Sequence, residues 1–272
     1  MKYDQKIGFI GAGNMATALI KGLMESGLYG KDRLSASDVD KPSLKKATER
    51  FGIECYSSNA ELVRRCSTVL FSVKPQNIRE VLEEVKGDFR DDHLLISIAA
   101  GIPRKMIHSI IGPTVPLIRV MPNTPALIQK GVSALAGGEG VTAEHMAIAI
   151  KIFHAVGETV EVEESAMDGV TALSGSGPGY IFKIMEHMVE AGAAVGLDEV
   201  TSKLLVVQTF LGASYLAKES ELSLSRLREM VTSPGGTTAA GLASFDEMGL
   251  EEIIKKAVKA AHARSVELGK EL

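Results

Sequence analysis

The sequence predicts an α/β fold, a doubly wound parallel sheet in the N-terminal half, followed by an all-α C-terminal half. Three observations predict it. Short β-rich runs alternate with helical patterns along the first half. Those runs are apolar on both faces, as in TVLFSV (68–73) and LLISIA (94–99), which marks a sheet covered on both sides. Beyond Glu163 no convincing strand pattern remains.

The elements follow in order. Lys6 to Ile10 is a compact apolar run ending at Gly11. Ala16 to Glu25 has helical spacing and closes at Gly27. Arg33 to Ser37 reads as the second strand, and Lys41 to Phe51 as a helix closed by Gly52. Thr68 to Val73, Leu94 to Ala99 and Val115 to Val120 are the next strands. Parallel strands joined by helices imply right-handed crossovers. Helices then run from Ser165 to Leu173, Gly179 to Ala194, Val200 to Ala217, Ser225 to Met230 and Leu250 to Leu268. The expected domains are 1–164 and 165–272. KLLVVQTFLGASYLA (203–217) is apolar almost all round, so it must be buried on most sides. A helical domain of about 100 residues seldom encloses such a helix alone. A large subunit interface is the expectation, and a central core helix within one chain the alternative.

Bulk properties narrow the function. Hydrophobic residues make up 45% and charged residues 24%, ordinary for a soluble globular protein. The formal net charge of −4 leaves no basic surplus for a nucleic-acid partner. A small anionic ligand stays open, since a local nest of N–H groups suffices for one. Cys55 and Cys66 form neither a disulfide framework nor a CxxC pair, so a reducing cytosol is expected. The six histidines are scattered without an i, i+4 pair, so no metal site is expected. The start, MKYDQKIGFIGAG, lacks the apolar core of a leader. No unbroken apolar run approaches the ~20 residues of a membrane span, so no membrane partner is expected.

GFIGAGNMA carries a phosphate-binding signature. Gly11, Gly13 and Ala16 give the GxGxxA pattern between a strand and a helix. Gly11 permits the tight turn, Gly13 lets backbone approach a pyrophosphate, and Ala16 allows close helix packing. The helix N-terminus then offers free N–H groups to phosphates. A tight turn with no ligand is the alternative. Asp38 lies at the end of the second strand, where a carboxylate favours a free ribose 2′-OH and repels a 2′-phosphate. Ser35, Ser37 and Lys41 stand nearby and suit a phosphate, and Asp38 also reads as a turn residue. VKPQ (73–76) and AAG (99–101) end strands at carboxyl edges, where ligands bind in open α/β sheets. Pro75 and Gly101 are equally ordinary strand terminators.

The stretch VTSPGGTTAAGL (231–242) breaks the helical half. Pro234-Gly235 suits a type II turn, with glycine where φ must be positive. The N–H groups of Gly235, Gly236 and Thr237 then precede a short helix from about Thr238, an anion nest. The alternative is a plain turn with Thr237 or Thr238 as N-cap.

GFIGAGNMA, VKPQ, SIAAGI, RVMPNTP, LSGSGPGY and VTSPGGTT occur in this order along nearly the whole chain. The set resembles pyrroline-5-carboxylate reductases. The resemblance implies an N-terminal Rossmann-like domain and a C-terminal helical dimerisation domain that interleaves with a partner, some members stacking dimers into decamers. It implies reduction of (S)-1-pyrroline-5-carboxylate to L-proline by NADPH or NADH, the last step of proline biosynthesis. NADPH is the expected cofactor, with NADH as the alternative that Asp38 favours. The implied substrate pocket holds Ser233, Gly235, Gly236, Thr237 and Thr238, with Glu221 and Val231. The implied cofactor positions are Gly11, Ala12, Gly13, Asn14, Met15, Asn59, Val73, Lys74, Pro75, Ala99, Ala100 and Gly101, with Ser37 and Asp38 at the ribose.

For that reaction the Thr238 hydroxyl is expected to donate a hydrogen bond to the imine nitrogen, orienting it without repelling an iminium. In LSGSGPGY, Ser174 and Ser176 are expected over nicotinamide and substrate, the alternative being a glycine-rich connector. Asn123 and Thr124, past a buried strand's end, are expected to shape the nicotinamide side. Two rivals stand against this reading. A β-hydroxyacid dehydrogenase uses GxxxKxxN, and Gly179, Lys183 and Glu186 give GxxxKxxE here. The other rival is a non-catalytic NAD(P) sensor.

Overall fold

The computed structural model describes residues 6–271. The expectation about a leader rests partly on the first five residues, which lie outside them. The chain forms two compact units. The first runs through Ser176 and takes in the chain again from Ala261; the second is Gly177–Ala260.

The first unit opens with β1 (Ile7–Ile10), every residue of it buried. Gly11, at φ +99°, turns the chain into α1 (Asn14–Glu25). β2 (Leu34–Ser37) leads to α2 (Lys41–Phe51), whose N-cap Asp40 accepts the Ser43 N–H and which ends at left-handed Gly52. Then come β3 (Glu54–Tyr56), α3 (Asn59–Arg65) capped by Ser58, β4 (Thr68–Phe71) and α4 (Ile78–Val85). β5 (Leu94–Ser97), α5 (Arg104–Ile111) and β6 (Leu117–Met121) follow, then β7 (Gly131–Gly137), α6 (Ala143–His154) and β8 (Gly157–Glu161).

The strand order is β3-β2-β1-β4-β5-β6-β7-β8. The order reverses between β1 and β4, and a crevice opens there at the carboxyl ends. Both faces are covered, as expected. Ile7, Phe9, Leu19, Ile118 and Phe153 pack on one side, and Ile10, Leu62, Phe71, Leu82 and Leu95 on the other. The sheet is not wholly parallel, however. β6 and β7 pair antiparallel, because the link 122–130 is too short for a parallel crossover. β3, β7 and β8, and helices α3 to α6, are additions to the sequence-based element order.

Past β8 a 3-10 turn (Glu164–Ala166) leads into α7 (Met167–Val170) and a π turn (Thr171–Gly175). The helix expected over 165–173 is therefore three kinds of turn in succession. The Ser176 N–H reaches back to the Thr171 carbonyl at 2.9 Å, the wide spacing of a π turn.

The second unit holds α8 (Gly177–Ala194), α9 (Glu199–Glu219), α10 (Leu224–Met230) and α11 (Thr237–Glu247); α12 (Leu250–Glu271) starts in it. Where α8 meets α9, a Cβ on Gly192 would collide with the Ser202 hydroxyl, so the two backbones approach closely. Beyond Ser202 and Val206, α9 has no fully buried residue. Leu204 is 68% exposed and Leu211 48%. The core-helix alternative is thereby excluded. By length and composition alone, α9 is also long and apolar enough to cross a membrane.

Candidate active site

The first unit supplies a cavity of about 410 Å³ at the sheet's switch point, lined by Gly11, Gly13, Asp38, Asn59, Lys74 and Glu84 among others. Two glycines build it differently. A Cβ on Gly11 would sit 2.9 Å from the Ser72 carbonyl, in a left-handed conformation that side chains rarely adopt. That glycine lets the β1 turn nest against the chain leaving β4. Ser72 closes the contact, its hydroxyl donating to the Gly11 carbonyl at 2.7 Å. Around Gly13, by contrast, a Cβ would meet nothing within 4 Å. Gly13 is the N-cap of α1 with no side-chain capping bond, so the first-turn amides of Asn14 and Met15 remain for an outside acceptor. An open cradle before uncapped helical N–H groups fits a pyrophosphate. Ala16 is fully buried, as close packing demands.

Asp38 is held at both oxygens. Oδ2 accepts the Ala12 N–H at 2.7 Å and Oδ1 accepts the Asp40 N–H at 2.9 Å. It therefore staples the glycine-rich loop to the end of β2, and each oxygen keeps a further lone pair toward the crevice. Ser35 and Ser37 are the two serines expected near a phosphate. Both are buried inside β2. The Ser37 hydroxyl donates to Asn59 Oδ1 at 2.7 Å, and Asn59 Nδ2 donates to Glu84 Oε2 at 2.7 Å. Ser37 thus acts through Asn59, and Lys41 alone of the three stays exposed. Sequence reading missed Glu80 and Glu84, which line the cavity from α4. Their i, i+4 spacing just after VKPQ was the available signal.

Val73, Lys74 and Pro75 follow β4, with Lys74 capping a 3-10 turn (Pro75–Asn77). Ala99, Ala100 and Gly101 follow β5; Ala99 and Gly101 are buried, and Gly101 has φ +75°. Asn123 is fastened at both ends of its amide. Oδ1 accepts the Val132 N–H at 3.0 Å and Nδ2 donates to Ser174 Oγ at 3.4 Å. The structure thereby brings Asn123 and Ser174 together, with Gly175 pressed on Met121. Among the described residues, no cluster of three or more His, Cys, Asp and Glu side chains could hold a metal.

The second unit holds the other predicted residues, most of them along one turn. The Gly236 N–H donates to the Ser233 carbonyl at 3.0 Å, and Gly235 has φ +68°. That is the turn expected of Pro234-Gly235. The N-cap of α11 is Gly236 rather than either threonine, and no side chain caps the helix. A Cβ on Gly236 would strike the Ser233 hydroxyl, so a larger residue there requires that hydroxyl to turn away. Thr237 takes the first helical position and Thr238 the second, both exposed. Val231, at the C-cap of α10, is 62% exposed. Glu221 is also exposed, in the turn between α9 and α10. Lys183 lies on an exposed face of α8, 3.5 Å from Glu186, as a solvated helix lysine does.

Comparison with known proteins adds to this geometry. A family model described as pyrroline-5-carboxylate reductase dimerisation matches residues 164–268. Another, NADP oxidoreductase coenzyme F420-dependent, matches residues 6–101. A pyrroline-5-carboxylate reductase of Methanosarcina acetivorans is 41% identical, covering 98% of this chain and 99% of its own. The structure of such a reductase from Coxiella burnetii superposes with a TM-score of 0.91 at 37% identity, covering 97% of this chain and 98% of that one. The Plasmodium falciparum pyrroline carboxylate reductase, solved with NADP bound, gives 0.89 at 32% identity, covering 98% of both chains.

Proposed function

The chain belongs to the pyrroline-5-carboxylate reductase family, and from that premise we infer that it reduces (S)-1-pyrroline-5-carboxylate to L-proline with NADPH, the final step of L-proline biosynthesis. One observation carries the reading: an open glycine cradle before uncapped helical amides, on a chain that matches such reductases from end to end.

Bound NADPH supplies the hydride that saturates the C5 imine carbon. The chain's residues bind and orient. Gly11, Ala12, Gly13, Asn14 and Met15 hold the pyrophosphate, and Asp38 and Asn59 the adenosine ribose. Val73, Lys74, Pro75 and the Ala99–Gly101 loop line the way to the nicotinamide. The N–H groups of Gly235, Gly236 and Thr237 hold the substrate carboxylate, with Ser233, Glu221 and Val231 around it. The Thr238 hydroxyl donates a hydrogen bond to the ring nitrogen as it gains electron density. Its own acidity is too weak for proton donation, so the proton comes with the substrate or from water. Ser174 and Ser176 approach the reacting groups, with Asn123 holding Ser174 in place.

Residues 1–164 serve as the cofactor-binding domain and 165–272 as the dimerisation and substrate domain. The exposed apolar face of α9 supports a homodimer, assembled further into a decamer in some relatives. Two free cysteines and the absence of a basic surplus support a cytoplasmic enzyme without nucleic-acid or membrane partners.

The test is NADPH oxidation with pyrroline-5-carboxylate, comparing wild type with Thr238→Ala. Removal of one such donor is expected to lower kcat/KM by roughly 10²-fold. Near-normal turnover in the variant sinks the role of Thr238. A wild type that binds NADPH without turning over pyrroline-5-carboxylate sinks the reductase reading itself.

A further inference from the structure

The loop 99–103, between β5 and α5, has little to hold it from within. Its own bonds are long: the Ile102 N–H reaches the Ala99 carbonyl at 3.4 Å, and the Ala99 N–H reaches Ser97 Oγ at 3.4 Å. Gly101 also sits in the left-handed region. Two outside grips compensate. At Gly101 the loop meets the last turns of α12. A Cβ on Gly101 would lie 3.0 Å from the Leu268 Cβ, and a Cβ on Gly269 would lie 2.8 Å from the Gly101 carbonyl. At the loop's far end, Arg104 gives its backbone N–H and Nε to the Glu164 carboxylate, at 3.2 and 2.8 Å.

Both grips lead to one partly buried cluster. Ser265, 3% exposed, donates its hydroxyl to Asp168 Oδ1 at 2.7 Å. Arg119, 4% exposed, donates to Glu164 at 3.1 Å and lies 4.0 Å from Asp168. The end of α12 is thus latched through Ser265 to Asp168, and Arg119 links Asp168 to Glu164, the carboxylate that holds Arg104.

We propose that the last two turns of α12 position the cofactor loop, with Ser265 and Gly269 as positioning residues for NADPH. The proposal rests on the reading of Ala99–Gly101 as a nicotinamide-side loop. A loop held mainly from outside moves when its brace changes, and a displacement of about 1 Å in a reacting partner costs up to roughly 10²-fold. Gly269 admits no Cβ without pushing the Gly101 carbonyl away. Ser265→Ala removes the latch while leaving the helix intact.

The experiment uses the full chain as Ser265→Ala, Ser265→Thr and Gly269→Ala, with exposed Lys259→Ala on the same helix as control. NADPH affinity is read from nicotinamide fluorescence without substrate, and kinetics and Tm are measured beside it. Gly269→Ala is expected to raise Kd and KM for NADPH about tenfold, and Ser265→Ala at least about threefold, the worth of one hydrogen bond. Ser265→Thr restores both constants, KM for pyrroline-5-carboxylate stays put, and Lys259→Ala matches wild type. A lowered Tm with unchanged NADPH affinity in Ser265→Ala overturns the proposal, leaving the latch purely structural. A wild type that binds NADPH but does not reduce pyrroline-5-carboxylate leaves the brace standing and overturns the reductase reading instead. A wild type that binds no NADPH overturns the cofactor site, and the brace with it.

Discussion

The two units solve burial in opposite ways. The first encloses its central strands: Ile7, Phe9, Phe71, Leu95 and Leu117 are all inaccessible to solvent. The second leaves most of its large apolar side chains in the open, and Val206 is the one it contributes to the buried hydrophobic core among the described residues. Along α9 the exposed residues Val200, Leu204, Val207 and Leu211 repeat at helical spacing, forming one stripe. Unit one is a scaffold complete within a single chain. Unit two awaits a cover, and on the reading above that cover is a second copy. The features proposed to bind ligands follow the same division. In unit one, glycines and carboxylate staples are set into a packed sheet; in unit two, an uncapped turn lies at an exposed surface.

The strongest way to break this comparison is to charge the stripe. Each side chain buried at an interface is worth about 1.5–3 kcal/mol, and an aspartate there adds desolvation cost. Leu204→Asp with Leu211→Asp is expected to yield monomers at micromolar concentration, measured by light scattering, with loss of reductase activity. NADPH binding by the self-contained first unit should survive. A double variant that stays dimeric would show that α9 is covered by something other than a second copy.

Next in size is a contrast between two glycines. Gly11→Ala forces a side chain into a left-handed conformation against the Ser72 carbonyl, costing about 1–3 kcal/mol from strain alone. It should lower the urea midpoint and weaken NADPH binding together. Gly13→Ala meets no protein atom, so it should melt like wild type and still bind NADPH at least about tenfold more weakly. Equal behaviour of the two variants would remove the distinction between a glycine for the fold and a glycine for the ligand.

A smaller effect is expected at Asp38. Asp38→Ser removes a negative charge at the proposed ribose position and the carboxylate that accepts the Ala12 N–H. The ratio of kcat/KM for NADPH to that for NADH should rise about tenfold, the scale of one lost charge contact. An unchanged ratio would confine Asp38 to stapling the loop.

How much of this was legible in sequence depends on the range of each interaction. The cradle at Gly11–Ala16 and the Pro234-Gly235 turn are local, and their residue types specify them. β8 (GETVE) is half exposed and shows no apolar run, and β3 has only three residues, so neither stood out. The antiparallel turn at β7 depends on which strand it meets, which GVSALAG does not state. The π turn at 171–175 is a shift in hydrogen bonding that leaves the apolar pattern almost untouched. The Ser37–Asn59 bond was not legible because β2 is buried on both faces, which turns even its hydroxyls inward. The Ser265–Asp168 bond joins residues 97 apart and has no local signature.

The smallest effect sharpens the account of the first unit's packing. His93 is 1% exposed before β5, with Nδ1 accepting the Arg90 N–H at 2.9 Å and its ring set edge-on to Phe89. Burial pushes its pKa below the ordinary histidine value, and the Arg90 charge pushes the same way; Asp92 and the backbone at Val63 and Cys66 pull back without prevailing. The folded state therefore prefers the neutral ring. Above about pH 6.5 both states are neutral there, and this contribution to stability is fully present. As pH falls below that value, the unfolded chain takes up the proton first and stability declines until the folded ring titrates too. The slope from one proton is at most about 1.4 kcal/mol per pH unit. His93→Asn keeps an acceptor for the Arg90 N–H and removes the titration. Urea unfolding from pH 7.5 to 5.5 should show wild type losing stability more steeply than the variant. Parallel curves would mean that the ring finds solvent or a partner in the folded state, and that this corner of the first unit is less tightly closed than its sheet.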